Sequence, residues 1–147
     1  MEARADQRAM SRLLRVIIVE DSEADAALLV RTLQQAGYEP DWRRVETAAD
    51  LNRALDDGVW DVVLADDSLP SFDGFTALAM VQARAADTPF ILVSGTIQEA
   101  VGKAAQEAGA RDYVLKSDLP RLVSVLAREL GTTPAGTAST STLVSSP

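Results

Sequence analysis

Five short apolar runs punctuate the chain, each followed by a stretch in which apolar residues recur every three or four positions. The runs occupy residues 15–19, 41–45, 61–65, 89–94 and 112–115. Three contain an unbroken apolar block: Val16-Ile17-Ile18-Val19, Val62-Val63-Leu64-Ala65 and Phe90-Ile91-Leu92-Val93. A strand that is apolar at every position has no face to offer water. Such runs predict central strands of a parallel sheet covered on both sides.

The intervening stretches carry helix signals. Ser22 caps a helix holding Leu29 and Leu33 that stops at Gly37. Thr47 with Asp50 opens a second, with Leu51 and Leu55, that stops at Gly58. A third runs from about Gly74 to Ala85, and Thr96-Ile97-Gln98-Glu99 has the form of a capping box for a fourth that stops at Gly109. Asp118 and Pro120 start the fifth, where Leu119, Leu122, Val123, Leu126 and Leu130 recur at helical spacing. Five strands alternating with five helices predict an α/β fold, a doubly wound parallel sheet with right-handed crossovers. In the flavodoxin-like order 2-1-3-4-5, the first and third strands are neighbours.

The two ends differ from the body. Residues 1–13 show no clear apolar stripe and read as a flexible lead-in, residues 14–130 as the domain. Residues 131–147, nearly all Thr, Ser, Ala, Gly and Pro, read as a disordered tail or linker. With 147 residues, 47% of them hydrophobic and 24% charged, the chain suits one globular domain with a sizeable core.

Charge and composition then remove whole classes of function. The net charge is −8; residues 1–15 contribute +2 and residues 131–147 nothing, so −10 falls on residues 16–130. A body that acidic lacks the basic surface nucleic acid requires. No apolar run approaches the roughly 20 residues of a membrane span, and no leader pattern opens the chain, so a cytoplasmic location is expected. Cysteine and histidine are both missing. That excludes a disulfide scaffold, a thiol nucleophile, a Cys/His zinc site, a Ser-His-Asp triad and any phosphohistidine on this chain.

Open α/β sheets bind ligands beyond the carboxyl ends of their strands. Glu20-Asp21 ends the first strand, Asp66-Asp67 the third, Ser94 the fourth and Lys116 the fifth. With the first and third strands about 5 Å apart, their carboxylates converge. They repel unless protonated or neutralised by a cation, and Mg²⁺ takes one or two carboxylates readily. A carboxylate nucleophile beside a metal, a hydroxyl and a lysine forms a phosphoryl-transfer site. Blander readings exist for each residue alone. Glu20-Asp21 also serves as a pair of helix-initiating acids, Asp67 as a polar loop start, Lys116 as a solvated cation and Tyr113 as a packed aromatic.

Taken together and in order, these residues resemble the response-regulator receiver domains of two-component signalling, over about residues 14–130. Glu20-Asp21 resembles the family's acid pair. Asp66-Asp67-Ser68-Leu69-Pro70-Ser71-Phe72-Asp73-Gly74 resembles its phosphoacceptor segment, with the acceptor four residues before the proline, hence Asp66. Ser94, Lys116 and Tyr113 resemble its hydroxyl, its lysine and its switch aromatic. The resemblance implies that Asp66 takes a phosphoryl group from a sensor histidine kinase or phosphotransfer protein. It implies Mg²⁺ on Asp21 and Asp66 directly, on Glu20 through water, and on the Ser68 carbonyl. Ser94 and Lys116 would bind phosphoryl oxygens, and a downstream protein effector would read the resulting change in the last two helices and the fifth strand.

The family's usual proline after the lysine is replaced by Ser117. Ser68 and Thr96 stand where the family tunes dephosphorylation; neither is an acid or amide, which implies a long-lived phosphoryl group. The same resemblance implies a signalling module rather than an enzyme, with no contact to nucleic acid or membrane. Whether a homodimer forms is open. A non-phosphorylated docking module of the same fold is the alternative, but its expected signature is loss of the acceptor, acid pair or lysine. An aspartyl-nucleophile phosphatase would carry a second acid where Ser68 stands.

Overall fold

A computed structural model describes residues 12–67, 73–96 and 99–131. The strands are β1 (Arg12–Val19), β2 (Tyr38–Val45), β3 (Val62–Asp66), β4 (Phe90–Ser94) and β5 (Asp112–Leu115). The helices are α1 (Glu23–Gln35), α2 (Ala48–Asp56), α3 (Gly74–Arg84), α4 (Glu99–Glu107) and α5 (Leu119–Leu130). Every pairing is parallel and the sheet order is β2-β1-β3-β4-β5, as the alternating pattern predicts.

Successive residues of a strand point to opposite faces, so each apolar run feeds two cores. Val16, Ile18, Leu64, Ile91 and Val114 pack against Leu29 and Leu33 of α1 and Leu122 and Leu126 of α5. Ile17, Val19, Val63, Phe90 and Leu92 pack against Leu51 of α2, Leu78 and Val81 of α3, and Ala105 of α4. Truncating a fully buried leucine such as Leu64 or Leu122 to alanine costs about 2–5 kcal/mol, since removed contacts and a residual cavity add.

The helix starts follow hydrogen-bonding side chains. The Ser22 and Thr47 hydroxyls each accept an N–H three residues on, from Asp25 and Asp50, both at 3.1 Å. Asp73 does the same for α3, accepting from Thr76 at 2.9 Å. Asp118 stands at the start of α5 without a side-chain cap bond, and Pro120 lies in the first turn. The proposed capping box before α4 includes residues 97 and 98, outside the described residues.

β1 and β2 both begin three residues earlier than the apolar runs suggest, at Arg12 and Tyr38. Their first residues pair with each other, Arg12 with Tyr38 and Leu13 with Glu39. This end of the sheet is half-wet: Arg12 and Leu13 are exposed and Leu14 buried, so no continuous apolar run marks it. Pro40 is tolerated because β2 is the edge strand, and its missing N–H faces no neighbour. β1 thus starts inside the stretch read as lead-in; residues 1–11 and the tail from residue 132 lie outside the described residues.

Candidate functional site

Sheet register builds the site. Val19 of β1 pairs with Ala65 of β3, so the next residue of each strand, Glu20 and Asp66, emerges side by side. Asp66 pairs with Val93 of β4, and Ser94 pairs with Leu115 of β5, which delivers Lys116 to the same end. The Lys116 N–H donates to the Ser94 carbonyl at 2.7 Å, tying those two strand ends together. Gly74, the first residue of α3, lets that helix approach Asp66 closely. A Cβ there would lie 2.8 Å from the Asp66 carbonyl oxygen and 3.1 Å from the Asp67 Cα, closer than a side-chain atom fits.

Carboxylate oxygens of Glu20, Asp21 and Asp66 all lie within 4.8 Å of one another. Glu20 is 2% exposed, Asp66 half-buried and Asp21 open to solvent. Burial pushes the Glu20 carboxyl above its ordinary value and the Asp66 charge adds to this, although hydrogen bonds from Lys116 and the Ser22 N–H pull the other way. The ammonium of Lys116 lies 2.9 Å from Glu20 Oε1, 2.7 Å from Asp25 Oδ2 and 3.5 Å from Asp66 Oδ2. Burial disfavours its charge, but hydrogen bonds to Asp25 and Glu20, with the Glu20 and Asp66 charges, outweigh that and raise its pKa. Lys116 is therefore cationic throughout the working pH range.

The remaining residues singled out in the sequence sit around this cluster. Ser94 is fully buried; its hydroxyl lies 2.9 Å from Asp67 Oδ2 and 3.1 Å from the Thr96 carbonyl, and accepts the Thr96 N–H at 3.2 Å. The Tyr113 hydroxyl donates to the same Thr96 carbonyl at 2.8 Å. Its ring lies against α4 at Gly102, where a Cβ would come within 2.6 Å of the ring. Ser68 falls at residues 68–72, outside the described residues. So Glu20, Asp21, Asp66 and Lys116 converge directly, while Ser94 faces Asp67 and Tyr113 connects to Ser94 through Thr96.

Two participants escape a reading by strand ends. Asp25 contacts Lys116 from the first turn of α1; the signal for it is the Ser22-to-Asp25 spacing of a capping box, which puts an acid in the turn that follows Glu20-Asp21. Asp67 looked like a loop start, yet it holds the Ser94 hydroxyl. Three carboxylates, Glu20, Asp25 and Asp66, thus contact one ammonium, and Asp21 lies beside Glu20 and Asp66. This surplus of hard oxygen donors suits a small divalent cation, and a carboxylate beside a cation can serve as a phosphoryl-accepting nucleophile.

Comparison with known proteins agrees with the geometry. Residues 16–127 match the profile of the response regulator receiver domain. The chain is 32% identical over 120 residues to the transcriptional regulatory protein TcrA of Mycobacterium tuberculosis, covering 77% of this chain but 45% of that protein. It therefore spans less than half the length of this relative. A crystal structure of a putative response regulator from Chloroflexus aurantiacus superposes with a TM-score of 0.67 at 27% identity, over 80% of this chain and all of that one. The receiver domain of a Pseudomonas aeruginosa sensor histidine kinase, solved with a magnesium ion in its active-site cleft, superposes with a TM-score of 0.68 at 23% identity, over 81% of this chain and 98% of that one. Among the described residues no helix is long and apolar enough to cross a membrane. The matched profile covers most of the chain, and the chain belongs to the response-regulator receiver-domain family of two-component signalling.

Proposed function

We propose that this domain accepts a phosphoryl group on Asp66 from a phosphohistidine of a sensor histidine kinase or phosphotransfer protein, and passes the signal to a protein effector. The observation that carries the reading is Lys116, cationic and shared between Glu20 and Asp66 where the strand ends converge. A docking module that is never phosphorylated has no need of a lysine at this place.

The donor set fits Mg²⁺. Three carboxylates lie within 4.8 Å of one another, and burial first, then the Asp66 charge, holds the Glu20 carboxyl above its ordinary value despite the bond from Lys116. Asp21, Asp66 and the Ser68 carbonyl would hold the ion, with Glu20 acting through water. When bound, Mg²⁺ would neutralise charge on the phosphoryl oxygens.

The chain's own residues perform the transfer by position and charge. An Asp66 oxygen forms a P–O bond as the donor's P–N bond breaks; the imidazole nitrogen keeps the bonding pair, and the ring's other nitrogen bears the proton that leaves it neutral. Lys116 donates to one phosphoryl oxygen. Ser94 turns from Asp67 to another. That turn loosens its bonds to Thr96, and through Thr96 releases Tyr113. The output is a population shift at α4, β5 and α5 toward an arrangement that an effector binds. Ser68 and Thr96 bring no acid or amide to orient an attacking water, so the acyl phosphate is long-lived.

The test is intact mass after incubation with acetyl phosphate and Mg²⁺. Wild type gains one phosphoryl group and Asp66→Asn gains none. Equal labelling of both proteins would move the acceptor to another residue, Asp67 first. Failure of wild type to label from either acetyl phosphate or a phosphorylated kinase would favour the docking module.

A further inference from the structure

The closest partner of Lys116 is not the phosphoacceptor. Its ammonium has three protons to donate, and the three carboxylates at 2.7, 2.9 and 3.5 Å account for all of them. The shortest contact is to Asp25 and the longest to Asp66. Asp25 stands three residues after the helix cap Ser22, where the acid of a capping box normally turns back to the cap's own N–H. Here Glu20 Oε2 already accepts the Ser22 N–H at 3.1 Å. The Asp25 carboxylate instead reaches across to Lys116, 91 residues further along the chain. Its side chain is 42% exposed against 2% for Glu20, so of these two partners Asp25 is the one water replaces at least cost.

We propose that Asp25 is a positioning residue: it holds Lys116 back from Asp66 in the unphosphorylated protein and must yield the ammonium when a phosphoryl oxygen arrives. This rests on the receiver reading above. Asp25 therefore competes with the phosphoryl group, and the domain binds that group less tightly than Lys116 alone would allow.

Beryllium trifluoride with Mg²⁺, a tetrahedral stand-in for a phosphoryl group on a carboxylate, is the probe. Its affinity for the full chain is read by amide chemical shifts, which also report that each variant is folded. Asp25→Asn binds about two- to fivefold more tightly than wild type, the range expected for a half-exposed ion pair. Asp25→Glu, which keeps the ion pair, stays near wild type. Glu23→Gln removes a charge from the same helical turn but from a residue that pairs with Arg44, and it moves the affinity less than Asp25→Asn does. Unchanged or weaker binding by Asp25→Asn overturns the inference, as does an equal gain in Glu23→Gln, which would reduce the effect to net charge. Absence of any binding by wild type would instead overturn the receiver reading and this inference with it.

Discussion

Glu20 and Asp112 are both buried acids, 2% and 5% exposed, at opposite ends of the same sheet, and their surroundings could hardly differ more. Glu20 shares one lysine with Asp25 and Asp66 and lies beside Asp21. Burial there pushes its pKa up. Asp112 opens β5 and holds two arginines of its own: Oδ1 accepts the Tyr113 N–H at 2.7 Å and Arg121 at 2.9 Å, and Oδ2 accepts Arg128 at 3.2 Å. Burial also penalises its charge, but these bonds outweigh the penalty and its pKa falls. One acid is satisfied by the fold. The other is buried at a cost that its share of one lysine does not offset, a condition that fits a site for a cation and a phosphoryl group. Tyr113 spans the two ends, with its N–H on Asp112 and its hydroxyl on the Thr96 carbonyl beside Ser94.

Removing the cation at each end breaks the comparison most severely. On the proposed mechanism Lys116→Ala deletes a charge-assisted bond to the phosphoryl group, so labelling by acetyl phosphate falls about ten- to a hundredfold. Arg128→Ala leaves Arg121 on Asp112 and labels as wild type does. Comparable losses in both variants would mean that the ends are not functionally distinct.

Neutralising each acid separates them by sign. Asp112→Asn weakens bonds to two arginines and destabilises the fold by about 1–3 kcal/mol in urea unfolding. Glu20→Gln in metal-free buffer raises the melting temperature, because it removes a charge that the folded state disfavours. Destabilisation by both substitutions would show that Lys116 satisfies Glu20 as fully as the arginines satisfy Asp112.

A pH series sharpens the same point. The depressed Asp112 pKa gives stability that is present above its ordinary value of 3.8 and lost as pH falls through its lower folded value. Asp112→Asn lacks this loss, so its stability falls less steeply with acid below about pH 4 than that of wild type. The raised Glu20 pKa acts oppositely, since protonation relieves a buried charge. Parallel acid limbs for wild type and Asp112→Asn in denaturant unfolding would contradict the assignment.

The smallest effect is at Gly102. Alanine there gains about 1 kcal/mol of helix propensity, but its Cβ displaces the Tyr113 ring. The two partly cancel in stability. The predicted signature is a moved Tyr113 ring resonance with labelling of Asp66 retained; an unmoved ring would show that α4 yields instead.

Much of this was legible in the chain. Continuous apolar runs marked β3 and β4 because both their faces are covered, and the residue leaving each strand named Glu20, Asp66, Ser94 and Lys116. The half-wet starts of β1 and β2 were not legible, since Arg12, Leu13 and Pro40 carry no such run. Nor were the partners of the site residues. The Asp25–Lys116 and Asp67–Ser94 contacts join residues far apart in sequence, and only the packed register aims one side chain at the other. Asp112 read simply as a strand start, because its arginines lie on α5, one and more turns away.

A Mg²⁺ titration of the metal-free full chain, followed by backbone amide shifts, tests the contrast most directly. Saturable shifts at Glu20, Asp21, Asp66 and Lys116, with Asp112, Arg121 and Arg128 unmoved, are the predicted result. Equal shifts at both ends, or none at the Glu20 end, would contradict it.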